Sequence, residues 1–273
     1  MLKVVLHALL CAVAHSAVAV ASTNRVQSLM SRQSSQAQGF VQALQYHHKL
    51  RVCNAYPYAA ALDVHRGGND LTLGSPMPYQ SCRDFKAPLK AGDRLEFKVG
   101  GVGAGTFSVS DLPSNDAVLL LVIYRHDTVT TAVSFESHVF ANLVNAQIAV
   151  IDTYKGGARA MARIMDAKDV GNAHHRSEEL RYDSIVAVNP GAYEVELTDG
   201  TGAVRAKRSL VALNRESYVV LRTGVEAERG EAYPEDIVVY PNSDIKSLQG
   251  SSTRAASFLA TVIATVAAAM HLQ

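Results

Sequence analysis

Two stretches of this chain alternate apolar and polar residues with period two, and they recur at an offset of about 99 residues. Leu95-Glu96-Phe97-Lys98-Val99 follows a turn containing Gly92, and Tyr193-Glu194-Val195-Glu196-Leu197 follows Asn189-Pro190-Gly191-Ala192. Successive side chains of a β-strand point to opposite faces. Leu95, Phe97 and Val99 are therefore expected on a core with Glu96 and Lys98 outward, and Tyr193, Val195 and Leu197 likewise against Glu194 and Glu196. The surrounding features repeat in the same order. Leu50-Arg51-Val52-Cys53-Asn54-Ala55-Tyr56 parallels Ile148-Ala149-Val150-Ile151-Asp152-Thr153-Tyr154. Glycine-rich turns follow at 100–105 and 199–202, polar turns at 113–116 and 214–216, and then wholly apolar runs at 117–124 and 218–221. Apolar runs of that length suit strands buried on both faces. The expected fold is all-β: two tandem antiparallel β-sandwich (Ig-like) domains, 49–142 and 146–241, joined by a short linker.

The ends are different. Residues 4–21 are apolar apart from His7, His15 and Ser16, follow Lys3, and finish in Ala19-Val20-Ala21. A positive start, an apolar core and small residues at the A-x-A step are the parts of a secretory signal helix, with cleavage after Ala21. Residues 22–48 form a Ser- and Gln-rich leader in which Val26, Leu29, Met30, Phe40, Val41 and Leu44 recur at partly helical spacing. A second apolar run, 255–270, forms the core of a hydrophobic C-terminal tail, 255–273. Asn242-Ser243-Asp244 supplies small residues, and 245–254 a polar spacer of ten residues, as a glycosylphosphatidylinositol (GPI) attachment signal requires. Asn242 is the expected attachment residue. Gly250 and Ser251 are smaller alternatives with almost no spacer after them. A spanning helix, which needs about 20 apolar residues, and a buried C-terminal helix are the competing fates of the tail.

Removal of both ends leaves about 220 residues. It also removes Lys3, Lys246, Arg254 and Asp244, moving the formal charge from +1 to −1. A chain so near neutrality has no field to attract a phosphate backbone, which argues against nucleic acid. Cys11 lies in the signal, so the exported chain keeps Cys53 and Cys82. An even pair in an oxidising compartment is expected to form a disulfide, and the absence of C-x2-C spacing argues against zinc.

Arg51-Val52-Cys53-Asn54-Ala55-Tyr56-Pro57, then Leu62-Asp63-Val64, then Leu89-Lys90-Ala91-Gly92 with its alternating strand, resembles a secreted domain-of-unknown-function family. The tandem repeats of that family run R-V-x-x-A-x-P, D-V-x-x-x-G and P-A-G-x-Y-x-V-x-V. The likeness covers most of the first copy and the latter half of the second. More distantly, the layout resembles the periplasmic adaptor of bacterial alginate acetylation. Leu95 stands where the family has tyrosine, and the second copy lacks the R-V-x-x-A-x-P opening. The resemblance implies β-sandwiches at a cell surface or envelope, and carries no catalytic residue onto this chain.

No motif calls for a cofactor. G-x-S-x-G does not occur, and the glycines at 100–105 lead into a strand, so a hairpin is expected there rather than a phosphate cradle. His47-His48 and His174-His175 are adjacent pairs; neighbours on a strand point apart, so each offers one metal ligand at most unless it lies in a loop, and a solvated loop is the expected setting. Asp63 and His65, two apart, share a face. With Tyr56, Tyr58 and Tyr79, whose rings suit stacking on sugars or a protein partner, they are the candidate ligand residues. Tyr46 belongs to the same group of aromatics. Arg205-Ala206-Lys207-Arg208 matches a furin-like site but falls in an expected strand, and no N-x-[ST] sequon occurs. The sequence thus points to an exported cell-surface protein on the extracellular face of the plasma membrane. It would be held by a C-terminal lipid and display a non-catalytic binding or structural ectodomain to a glycan or surface protein. The alternatives are a factor or enzyme acting on extracellular polysaccharide and a soluble luminal β protein.

Overall fold

A computed structural model describes residues 46–86, 88–141, 145–168 and 176–248. The expected signal peptide, nearly all of the leader, His174, His175, Gly250, Ser251 and the apolar tail lie outside the described residues. Among the described residues no helix is long and apolar enough to cross a membrane.

The first half contributes β1 (His48–Ala55), β2 (Leu62–Arg66), β3 (Asn69–Asp70), β4 (Ser81–Phe85), β5 (Arg94–Val99), β6 (Val102–Ser108), β7 (Ala117–Arg125) and β8 (Val133–Ala141). The second contributes β9 (Ala146–Asp152), β10 (Ala160–Asp166), β11 (Ser177–Leu180), β12 (Ser184–Val188), β13 (Gly191–Asp199), β14 (Val204–Ala212), β15 (Ser217–Val225) and β16 (Tyr233–Tyr240). The first sandwich has an outer sheet β3-β2-β5-β6 and an inner sheet β4-β1-β7-β8; the second has an inner sheet β12-β9-β15-β16 and an outer sheet β11-β10-β13-β14. Strand for strand the two orders are the same, so the sequence repeat is a duplicated topology. Each inner sheet contains one parallel pair, β1 with β7 and β9 with β15, within otherwise antiparallel pairing. The strands between them provide the long crossover that parallel neighbours require.

The alternation is realised as expected. Leu95 and Phe97 enter the first core beside Leu50, Val52, Leu119, Leu121 and Ile123. Val195 and Leu197 enter the second beside Ile148, Val150, Tyr218 and Val220. A third cluster joins the halves: Cys53, Ala55, Leu120, Val122 and Phe140 of the first inner sheet pack on Ala149, Ile151, Val219 and Leu221 of the second. The inner strands are therefore apolar on both faces. In β7, Leu119, Leu121 and Ile123 face their own core while Leu120 and Val122 enter the seam. The described residues from Tyr46 onward accordingly cluster as one compact unit.

The glycine-rich segment is a hairpin. Gly100 and Gly101 both have positive φ, 58° and 82°, and Val99 pairs with Val102 across them, as a two-residue turn with left-handed central residues demands.

Candidate functional site

Along β1, Leu50 and Val52 point into the first core, so Arg51, Cys53 and Ala55 point into the seam. Arg51 is wholly buried there. Its Nε and Nη2 donate to Asp84 Oδ1 and Oδ2 at 2.7 and 2.9 Å. Nη2 also donates to Glu216 Oε1 at 3.2 Å, and Nη1 donates to the Ser217 carbonyl. The Tyr240 ring lies 5.0 Å from its guanidinium carbon. Burial works against the Arg51 charge, and Asp84 and Glu216 more than restore it. Asp84 belongs to the first sandwich; Glu216, Ser217 and Tyr240 belong to the second. One guanidinium therefore stitches the two together.

The register of β1 with β4 sets Cys53 opposite Cys82, and the two are joined in a disulfide with Cα atoms 4.0 Å apart. The expected bridge is present, in the first sandwich.

The candidate ligand residues separate. Tyr56 is a correction: it is 6% exposed and belongs to the first core, with its hydroxyl donating to the Thr131 carbonyl at 2.7 Å. Its apolar neighbours claim the ring, so it presents no ligand face. Tyr58 remains exposed, 5.9 Å from the Tyr56 ring. Tyr79 meets Tyr233 of the second sandwich edge to face at 5.3 Å. Its hydroxyl is buried near Thr223 and Gln80 but reaches neither in hydrogen-bonding geometry, and burial raises its pKa. Gln80 Nε2 donates to Thr223 Oγ1 at 3.1 Å across the same seam. Tyr58 and Tyr79 thus mark one end of the seam. Asp63 and His65 do share the outward face of β2, opposite Lys98 and Glu96 of β5, and Asp63 Oδ1 accepts from Thr72 Oγ1 at 3.3 Å. They form part of a solvated charged face, away from the tyrosines.

At the other end of the seam lies a groove of about 590 Å³, within the size range of small-ligand sites. It is built from both halves. His47, His48 and Lys49 come from the start of β1, Asp116 from the turn before β7, Asn145 and Gln147 from the start of β9, and Arg215 and Glu216 from the turn before β15. Tyr46, Phe85 and Lys86 complete one wall. His48 Nε2 lies 3.0 and 3.2 Å from the Pro113 and Asn115 carbonyls, which fixes the proton on that nitrogen. Asp116 Oδ1 accepts the His47 backbone N–H at 2.8 Å. Sequence reasoning missed this groove because its walls come from five separated segments. The aromatic Tyr46 beside two histidines was the one local signal.

The basic run is accounted for within the sheet. Arg205 pairs with Asp199 at 2.7 Å, Lys207 bridges Glu194 and Glu196, and Arg208 holds both carboxylate oxygens of Asp236 at 2.9 and 2.8 Å. The run lies in β14, an edge strand held extended by hydrogen bonds to β13 along one side, with its basic side chains paired as above. Asn242 is exposed and sits just past β16. Among the described residues no group of three or more His, Cys, Asp or Glu side chains gathers as a metal site.

No family model and no curated protein sequence matches this chain. Among solved structures, it is similar to a carbohydrate-binding module of Eubacterium rectale crystallised with maltoheptaose. That match has 9% identity and a TM-score of 0.25, and covers 72% of this chain and 98% of that one. It is also similar to a protein of Bacteroides fragilis assigned provisionally to cell adhesion, with 10% identity, a TM-score of 0.21, and 74% and 98% of the two chains covered. Likenesses at these scores carry no functional argument.

Proposed function

We propose that this chain is an exported surface protein, anchored by a lipid at Asn242, whose paired sandwiches act as one rigid, non-catalytic binding module. The observation that carries the binding role is the groove at the seam, which neither sandwich forms alone. Its chemistry suits a glycan: Tyr46 offers a stacking face, and His47, Lys86, Asn145 and Gln147 offer hydrogen-bonding side chains. Its carboxylates are already engaged. Asp116 holds the His47 backbone and Glu216 holds Arg51, which favours binding over acid–base chemistry. Export is supported by the cross-strand Cys53–Cys82 bridge and by the sorting pattern of both termini. The exposure of Asn242 directly after the last strand leaves it accessible for attachment.

Two measurements test this reading. Phosphatidylinositol-specific phospholipase C should release the protein from intact cells, and mass spectrometry of the released form should end at Asn242; a mature chain retaining Gln273 would refute the anchor. On a glycan array the protein should bind without altering its ligand, and Tyr46→Ala should weaken binding by about threefold to tenfold. Unchanged binding in Tyr46→Ala, or cleaved products, would refute the groove or its non-catalytic role.

A further inference from the structure

Each of the four sheets among the described residues ends in two edge strands, and an unguarded edge is a template for another strand. Most of these edges are guarded. β3, β4, β11 and β12 are at most five residues long. β6 carries Gly103 and Gly105 and a register shift against β5. β14 carries Arg205, Lys207 and Arg208. β16 carries Pro234, Glu235 and Asp236, and its register with β15 shifts at Thr223/Val225. β8 has only one of these devices, the lone carboxylate Glu136, and among the described residues no strand pairs with its free side. Its nine residues, Val-Ser-Phe-Glu-Ser-His-Val-Phe-Ala, include no proline, glycine, lysine or arginine, and they pair with β7 without a shift from Val133 to Ala141. β16, its counterpart in the second copy, shows that the same position is guarded elsewhere in this fold.

We propose that β8 is a self-pairing edge through which two copies of this chain form a two-fold dimer, joining their inner sheets into one eight-stranded sheet. The sequence of β8 selects both the partner and the register. In an antiparallel pair, residues opposite each other lie on the same face, so residues of the core face (Val133, Phe135, Ser137, Val139) must oppose one another. A two-fold axis at Ser137 satisfies this over all nine positions. It sets Phe135 opposite Val139, Val133 opposite Ala141, and Glu136 opposite His138 of the second copy, twice. Moving the axis to Glu136 opposes two carboxylates, and moving it to His138 opposes two imidazoles and sets Glu136 against Phe140. The register at Ser137 alone sets an imidazole N–H donor opposite a carboxylate acceptor. It adds about eight to ten backbone hydrogen bonds.

Glu136 and His138 are placed to gain from this. Both are half-buried on the seam side of β8, where the second sandwich turns Asp183 and Lys155 toward Glu136. Burial, then Asp183, raise the Glu136 pKa against the pull of Lys155, and burial lowers that of His138. In the dimer each would exchange solvent for the side chain opposite it. His138 stacks edge-on to Phe140 at 4.8 Å, which restrains its ring.

The test uses the full-length protein expressed through the secretory route and extracted in detergent. Sedimentation equilibrium should report a dimer, and Ser137→Cys should oxidise to a covalent dimer because opposed Cα atoms lie about 4.5–5.5 Å apart. Ser134→Cys, whose opposed residue is Phe140, should remain unlinked. His138→Glu should weaken the dimer about tenfold, and the exchange Glu136→His with His138→Glu should restore it. Thermal melting of each variant separates loss of pairing from loss of folding. A monomer at every concentration, or a folded dimer in which Ser137→Cys fails to cross-link, would overturn the proposal.

Discussion

Replacing Arg51 with methionine is the sharpest probe of how the halves are joined. The substitution keeps most of the volume and removes the charge. It strips Asp84 of two charge-assisted hydrogen bonds, Glu216 of one, and the Ser217 carbonyl of one. Removing one member of a buried ion pair costs about 3–5 kcal/mol, because the partner is left stranded. Here the acids are not sealed. Their side chains are 26% and 32% exposed, and Lys49 stays 3.3 Å from Asp84, so water and Lys49 recover part of the loss. The expected cost is about 2–4 kcal/mol, which in a urea titration lowers the midpoint by roughly 1–2 M. Adding Asp84→Leu should return part of that loss, since no acid is then stranded. The pH dependence gives an independent reading. Burial alone would raise the Asp84 carboxyl, but the hydrogen bonds and charge of Arg51, backed by Lys49, hold it below the ordinary value. A depressed folded pKa contributes stability that is present above the unfolded value, about 3.9, and lost as pH falls through the folded one. The wild type should therefore lose stability more steeply than Arg51→Met below about pH 4. A single substitution within about 0.5 kcal/mol of wild type, or a double variant no better than the single, would refute the view that Arg51 ties the sandwiches together.

The Cys53–Cys82 bridge closes a loop with a sequence separation of 29, so replacing both cysteines with alanine should cost about 3–4 kcal/mol, read as a fall in urea midpoint that reductant reproduces in the wild type. An unchanged midpoint in either experiment would show that the bridge does not constrain the unfolded chain. Gly224→Ala should destabilise by more than about 2 kcal/mol, because φ there is 124° and a Cβ would stand 2.7 Å from the Pro234 carbonyl oxygen. A melting temperature equal to wild type would mean that the bulge between β15 and β16 relaxes freely.

Local periodicity made half of this architecture readable. Leu95, Phe97, Val195 and Leu197 alternate because one face of their outer sheets meets water, and period two records that directly. The continuous apolar runs of β7 and β15 recorded burial on both faces, but not what covers the second face. The covering element is the other inner sheet, and contacts such as Leu120 and Val122 on Val219 and Leu221 leave no mark on local spacing. Arg51 was hidden for the same reason. Within Leu50-Arg51-Val52 it reads as the exposed residue of an alternating strand, and only Glu216, 165 positions away, makes it a buried one. The groove shares this origin, since it exists where the two halves meet.

The two copies also solve one mechanical problem by different chemistry. Asn54 Oδ1 accepts the Tyr56 N–H, and Asp152 Oδ1 accepts the Tyr154 N–H, so these positions correspond at the ends of β1 and β9. In the first copy Asn54 lies beside Ile123, and the adjoining Cys53 is bridged covalently to β4. In the second copy the residue beside Asp152 is Arg222, nearly buried, which donates to Asp152 at 2.9 Å, to Glu235 at 2.5 Å and to the Ala158 carbonyl at 2.7 Å, and lies 4.3 Å from the Tyr154 ring. A guanidinium clamp there links β9, β15 and β16 in the sandwich that lacks a disulfide. Reduction should consequently loosen the first sandwich and leave the second intact, because each half is fastened at this end by its own chemistry while the apolar seam and Arg51 hold both as one body.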